Sequence, residues 1–388
     1  MTSNSPITHV FRAILLILFL TVFGQKPALA DDAESAAALN RQAIAHYEAG
    51  EYAEAIPLLE RALAIREEVL GSKHADTAMS LNNLARLYET QGHYAQAEPL
   101  YQRALAIREE VLGPKHADTA MSLNNLADLY ETQGHYAKAE PLYQRALTIR
   151  EEVLGPKHTS TATSLNNLAF LYQTQGHYAQ AEPLHQRALA IREEVLGPKH
   201  ANTAMSLNNL AFLYQTQGHY AQAEPLHQRA LAIRKEVLGP KHADTAMSLN
   251  NLALLYHTQD RYAQAEPLFQ RALAIHEEVL VPKHTLTATS LNNLARLYET
   301  QGHYAQAEPL YQRALAIHEE VFGPKHKSTA ASLNNLASLY QFQGLYAQAE
   351  PLYQRALAIH EEVLGPKHAD TAMSLNNLAR LYETQGHY

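Results

Sequence analysis

The chain of 388 residues contains no cysteine. That absence removes disulfides, thiolate nucleophiles and cysteine-ligated zinc together. Charge of one sign is nowhere concentrated: 31 basic residues face 39 acidic ones, a formal net of −8. Without a basic run there is no surface suited to phosphate backbones, so no nucleic-acid partner is expected. There is no phosphate-cradling glycine loop, no nucleophile elbow and no HExxH, since "HEEVL" at His276 lacks the second histidine. Long apolar runs are missing too, except near the start.

That exception reads as a leader. His9 and Arg12 precede "AILLILFLTVF", Ala13 to Phe23, and "GQKPALA" follows, ending in Ala28, Leu29 and Ala30. A basic start, a short apolar run and a small-x-small close form a secretory signal peptide, residues 1–30, cleaved after Ala30. The run is short for a full span. The expectation is export to a periplasmic or extracellular space, with no membrane contact after cleavage. The alternative is a chain tethered by the uncleaved signal.

What is abundant is repetition. The serine of "SLNN" recurs at Ser80, Ser122, Ser164, Ser206, Ser248, Ser290, Ser332 and Ser374, always 42 residues apart. After a short lead, 31–37, the units are 38–79, 80–121, 122–163, 164–205, 206–247, 248–289, 290–331 and 332–373, and 374–388 is the first helix of a ninth. Leu81, Leu84, Ala85 and Tyr88 share one helical face. Gly92 ends that helix. Ala97, Leu100, Tyr101, Ala104, Leu105, Val111 and Leu112 mark the buried face of a second helix, stopped by Gly113 and Pro114. Asp118 and its counterparts Asp76, Ser160, Asn202, Asp244, Ser328 and Asp370 read as N-caps, and Leu286 predicts a weaker helix start. Pro99 and its equivalents fall inside the second helices, where a slight bend is expected. Alanines 85, 97 and 104 read as close-approach points. Such hairpins bury their faces only by stacking into a solenoid.

Leu81, Leu84, Ala85, Tyr88, Gly92, Tyr94, Ala97, Tyr101 and Ala104 resemble the tetratricopeptide-repeat pattern. The 42-residue period with "LNNLA", "YAQAEPLYQRALAIRE" and "LGPKH" resembles the kinesin light chain variety over residues 38–388. The resemblance implies an all-α, right-handed superhelical solenoid whose first helices line a concave groove. Glu109 stands where the usual closing proline would be. The signal peptide, and the lack of a heptad segment for pairing with a motor chain, argue against carrying over motor transport.

Twenty-two histidines invite a metal reading. The eight "KH" histidines, however, recur one helix pair apart, far beyond the ~2 Å each needs to a shared zinc. They read as solvated loop residues, and no metal or cofactor is expected. The repeated "REE" and "HEE" carboxylates suit an exposed face, because a catalytic pair would be unique. No enzyme activity is expected. The resemblance places the second asparagine of "LNNLA" in the groove: Asn83, Asn125, Asn167, Asn209, Asn251, Asn293, Asn335 and Asn377. An amide both donates and accepts, so such a ladder suits an extended peptide backbone. The alternative is that these amides bond between neighbouring helices. In the first unit Arg41 and Gln42 mark a solvent-facing end. Three residues after the asparagine the units differ: Ile44, Arg86, Asp128, Phe170, Phe212, Leu254, Arg296, Ser338 and Arg380. Phe170, Phe212 and Leu254 form an apolar patch, read either as a contact site or as drift after duplication.

The function expected is a non-enzymatic exported scaffold binding a protein or extended peptide. The alternative is the sensor or substrate-binding part of a longer secreted protein, since the plan resembles the front of proteins ending in a CHAT-type, caspase-like peptidase domain. In the ninth unit Leu375, Leu378, Leu381 and Tyr382 are expected to lack their usual cover, which would permit end-to-end self-association.

Overall fold

The structure, a computed structural model, describes residues 26–386, and side chains from residue 34. Most of the leader therefore lies outside the described residues. The helices are α1 Lys26–Glu48, α2 Tyr52–Val69, α3 Ala75–Thr90, α4 Tyr94–Val111, α5 Ala117–Thr132, α6 Tyr136–Val153, α7 Thr159–Thr174, α8 Tyr178–Leu196, α9 Ala201–Thr216, α10 Tyr220–Val237, α11 Ala243–Thr258, α12 Tyr262–Val279, α13 Thr285–Thr300, α14 Tyr304–Phe322, α15 Lys327–Phe342, α16 Tyr346–Val363 and α17 Ala369–Gln385. No strand occurs among the described residues. Consecutive helices pair into hairpins, and hairpins stack into a solenoid.

Each hairpin turn rests on backbone geometry. Gly92 sits at φ +75°, open to glycine without a Cβ penalty. Asp260 occupies the same kind of turn at φ 57°, the one non-glycine residue at positive φ among the described residues. The second helices run without interruption through Pro99 and its equivalents.

Helix starts correct the sequence reading. The N-cap of α5 is His116, not Asp118. His116 is extended, at φ −102° and ψ 148°, and its Nδ1 accepts the Asp118 amide at 3.1 Å. Asp118 lies inside the first turn, where its charge suits the helix dipole. The same arrangement holds from His74 to His368. His284 caps the Leu286 amide at 3.1 Å, so α13 keeps the cap, but Thr287 Oγ1 is buried without the carbonyl partner that Thr119 finds in Gly113. The "KH" histidines are thus caps, not merely solvated loop residues.

The core repeats the same contacts. Ala85, Ala97 and Ala104 are fully buried, as the spacing requires. Val111, the last residue of α4, is 47% exposed, however, so the buried face ends at Ile107 and Arg108. Ala230 is fully buried beside Ala204, Leu207 and Ile233. Ala230→Leu should cost about 1–3 kcal/mol through overpacking. Unchanged thermal and denaturant midpoints would contradict this packing.

A buried polar junction joins neighbouring units. Ser122 Oγ accepts from Arg108 Nη1 at 2.9 Å and from Asn82 Nδ2 at 3.2 Å. Arg108 Nη1 also donates to the Asp118 carbonyl at 3.0 Å. Thus the first asparagine of "LNNLA" bridges neighbouring helices. In the last three hairpins a histidine replaces the arginine, as in His276 Nδ1 to Ser290 Oγ at 2.9 Å.

First helices of neighbouring units also touch one another, which places them on the inner side of the curve. The curve is tight enough for distant units to meet. Tyr52 stacks on Phe322 with ring centroids 5.7 Å apart. Gly92 lies so close to the His326 ring that a Cβ there would sit 3.0 Å from it. In α17, Leu375 is 46% exposed and Leu378 and Tyr382 are partly so, but Leu381 is fully buried against the preceding hairpin. Its expected lack of cover is corrected by that face pointing backward along the stack.

Candidate functional site

The second asparagines are all half-buried on the first helices. Asn83 donates to Asn40 Oδ1 at 2.8 Å. The other seven form no such ladder with one another, which leaves their amides available on the inner face. The end-unit residues Arg41 and Gln42 are exposed.

Phe170 is 51% exposed and Phe212 is 48% exposed, whereas Leu254 is half-buried. The three converge on one cleft of about 170 Å³. Asn209 and Asn251 line it beside them. This is the place where the variable column and the asparagine column meet in a concave surface.

The floor of the cleft holds residues the sequence reading missed. His185 and His227 line it, each 1% exposed. In most other units their position carries a ring that fills its space. Tyr101 donates to Glu89 at 2.7 Å, Tyr143 to Glu131 at 2.9 Å, and Tyr353 to Gln341 at 3.0 Å. Gln173 and Gln215 stand where Glu89 and Glu131 do, as Gln341 does opposite Tyr353, so the imidazoles are what set the cleft apart. His185 Nδ1 lies 2.9 Å from Asn166 Oδ1, and His227 Nδ1 lies 2.9 Å from Asn208 Oδ1. Burial pushes both imidazoles down to about 4. They are neutral near pH 7.

A second polar region lies on the inner face. Burial, reinforced by Asp128, pushes the Glu89 carboxyl up to about 7. Burial also pushes Glu131 up to about 7. Lys327 opposes this charge from a distant unit. Among the described residues no group of three or more histidine, aspartate or glutamate side chains is gathered as a metal site. No described helix is long and apolar enough to cross a membrane.

Comparison with known proteins places this geometry. The family model described as "Tetratricopeptide repeat" matches overlapping segments 34–110, 91–152, 136–194, 160–236, 202–278, 244–320, 287–349 and 328–388. No curated protein matches. Among solved structures, BtubC (BKLC) from P. vanneervenii is 28% identical, with 62% of this chain and 92% of that chain covered and a TM-score of 0.46. Nearly identical repeats of a kinesin light chain from Podosopora anserina are 28% identical, covering 53% of this chain and 97% of that one at a TM-score of 0.45. A Rap protein complexed with Competence and Sporulation Factor is 15% identical, covering 91% of this chain and 99% of that one at a TM-score of 0.53.

Proposed function

Because the chain belongs to the tetratricopeptide repeat family, we propose that it is a non-enzymatic, exported scaffold that holds a protein or peptide segment along its inner face. The observation carrying this is the cleft where Phe170, Phe212 and Leu254 meet the amides of Asn209 and Asn251. Apolar side chains anchor, and amides bind backbone regardless of sequence. The fold suits such a role, since the Rap protein of like fold was solved with Competence and Sporulation Factor. Export rests on the order of the first thirty residues, and sequencing the mature protein should find Asp31 first.

The binding test is a triple change of Phe170, Phe212 and Leu254 to serine. Affinity for a selected groove peptide should fall by about 2 kcal/mol or more, as loss of a hot spot does. Asn167→Ala should weaken all groove peptides. Intact affinity in a triple variant with an unchanged circular dichroism spectrum would show that the patch is duplication drift.

A further inference from the structure

The curve of the solenoid makes an interface of the chain with itself. Hairpin tips of the early units sit on the "GPKH" connections of the late ones. A Cβ at Gly92 would lie 3.0 Å from the His326 ring, and one at Gly134 would lie 3.1 Å from the His368 ring, so the register is the same in both places. Val363 and Leu364 pack on the apolar cluster that includes Tyr94, and Val321 and Phe322 pack on the one that includes Tyr52. Tips and connections lie at opposite ends of every helix, so this seam joins one edge of the solenoid to the other.

Both edges also occur uncovered in the same molecule. Among the tips, Tyr52 and Tyr94 are buried, whereas Tyr178, Tyr220, Tyr304 and Tyr346 are only partly so. Among the connections, Val321 and Val363 are partly buried, whereas Val111, Val153, Val195 and Val237 are 47–50% exposed. His326 is 2% exposed, but the side chain of its counterpart His116 is 43% exposed. The difference follows contact, not sequence. The covered tip 91–94 and the uncovered tips 175–178 and 217–220 all read "QGHY". The covered connection 364–368 and the uncovered connections 112–116, 154–158 and 196–200 all read "LGPKH".

The uncovered tips have room for a partner. A Cβ at Gly176, Gly218, Gly302 or Gly344 would meet nothing within 4 Å. The tip between α15 and α16 is apolar besides. Phe342 is 61% exposed and Leu345 is 41% exposed, where most tips carry threonine and histidine. Apolar surface at a tip is what the existing seam uses, in the stacking of Tyr52 on Phe322.

We propose that the uncovered tips of one copy dock on the uncovered connections of a second copy, repeating between chains the seam that the solenoid makes with itself. The occupant is a second copy because the segments that cover the tips within the chain recur, letter for letter, uncovered on its other edge. The two docking surfaces are different patches, so the contact is heterologous and each added copy leaves a new edge uncovered. The copies assemble head to tail, through surfaces separate from both the aromatic cleft and the exposed face of α17.

The test is sedimentation of the purified chain over a range of concentrations. The average mass should rise past two copies, as a heterologous contact that does not close requires. Val153→Glu/Val195→Glu puts carboxylates in the connection row, where a docked tip would strip their water. Both valines are about half exposed, so this variant should fold. Gly176→Asn/Gly218→Asn adds side chains to the tip row, where they would crowd an incoming histidine as a Cβ at Gly92 would crowd His326. Asp260 already holds this turn at φ 57°, so its isostere should be accommodated. Each variant alone should sediment as a single chain with an unchanged circular dichroism spectrum. Mixed in equal amounts, the two should form pairs and stop there, because one intact row of each kind remains. A wild-type chain that stays single, or that stops at two copies, overturns the proposal. Association that either folded variant retains overturns it as well, and loss of that association in Leu375→Glu would move the contact to the α17 face.

Discussion

Ser122→Ala should destabilise the junction of α4 and α5 by about 3 kcal/mol, far beyond the loss of a hydroxyl at an exposed site. The serine is fully buried and accepts from both Arg108 Nη1 and Asn82 Nδ2. Alanine would strand the asparagine donor and leave the guanidinium with only the Asp118 carbonyl on that nitrogen. Each buried donor left unmade costs about 1–3 kcal/mol, and a charged one more. Arg108 is itself 3% exposed, so water cannot easily replace the lost acceptor. The array offers an internal control. His318 Nδ1 bonds Ser332 Oγ at 2.8 Å, and His360 Nδ1 bonds Ser374 Oγ at 2.9 Å. Arg108→His should therefore cost less than about 1.5 kcal/mol, within the usual range for a tolerated core exchange. Repeat arrays unfold by neighbouring blocks, so hydrogen exchange across residues 94–132 is the appropriate readout beside urea midpoints. Equal losses for Ser122→Ala and Arg108→His would show that the serine is not the junction.

The same junction shows where sequence reasoning succeeds and where it stops. Periodicity identifies Leu81, Leu84 and Ala85 as one face because helical spacing is a local property, and all three are buried. Glycines at the turns and alanines at close approaches are legible for the same reason. Asn82 and Asn83 are harder. They are neighbours about 100° apart on the helix, and only the first is buried in the bridge. Asn82 lies three residues before buried Ala85 and shares its packed face, whereas the family pattern points to Asn83. The cap was misplaced because aspartate is the common capping residue, whereas here the preceding histidine has the extended backbone and the reachable Nδ1. The stacking of Tyr52 on Phe322 was not legible at all. It depends on curvature accumulated over several units, which no local pattern encodes. The cleft was half legible. Phe170, Phe212 and Leu254 stood out as exceptions in one column. The change from tyrosine to His185 and His227 stood in another column and gained meaning only when both lined one space.

Acidification should weaken the wild-type array more than the His185→Tyr/His227→Tyr variant. Both imidazoles are buried, and burial alone holds them down at about 4 from an ordinary value of 6.5. Between those limits the unfolded chain binds more protons than the folded one, so stability rises with pH. The contribution is fully present above about pH 6.5 and is lost as pH falls toward 4. At pH 5.5 each histidine removes about 1.4 kcal/mol, so the pair removes roughly 3 kcal/mol. Glu89 and Glu131 act in the opposite sense. Their folded values, about 7, lie above the ordinary carboxyl value of 4.5. The folded state then binds more protons between those limits, and those two groups favour stability at the lower pH. The wild-type profile alone therefore mixes two slopes. The double variant isolates one of them, because its tyrosines do not titrate below pH 7 and every carboxylate is retained. Urea midpoints at pH 7.5 and pH 5.5 should converge less in the wild type, whose loss on acidification should exceed that of the variant by roughly 3 kcal/mol. An identical pH dependence in the two proteins would show that the imidazoles are hydrated in solution.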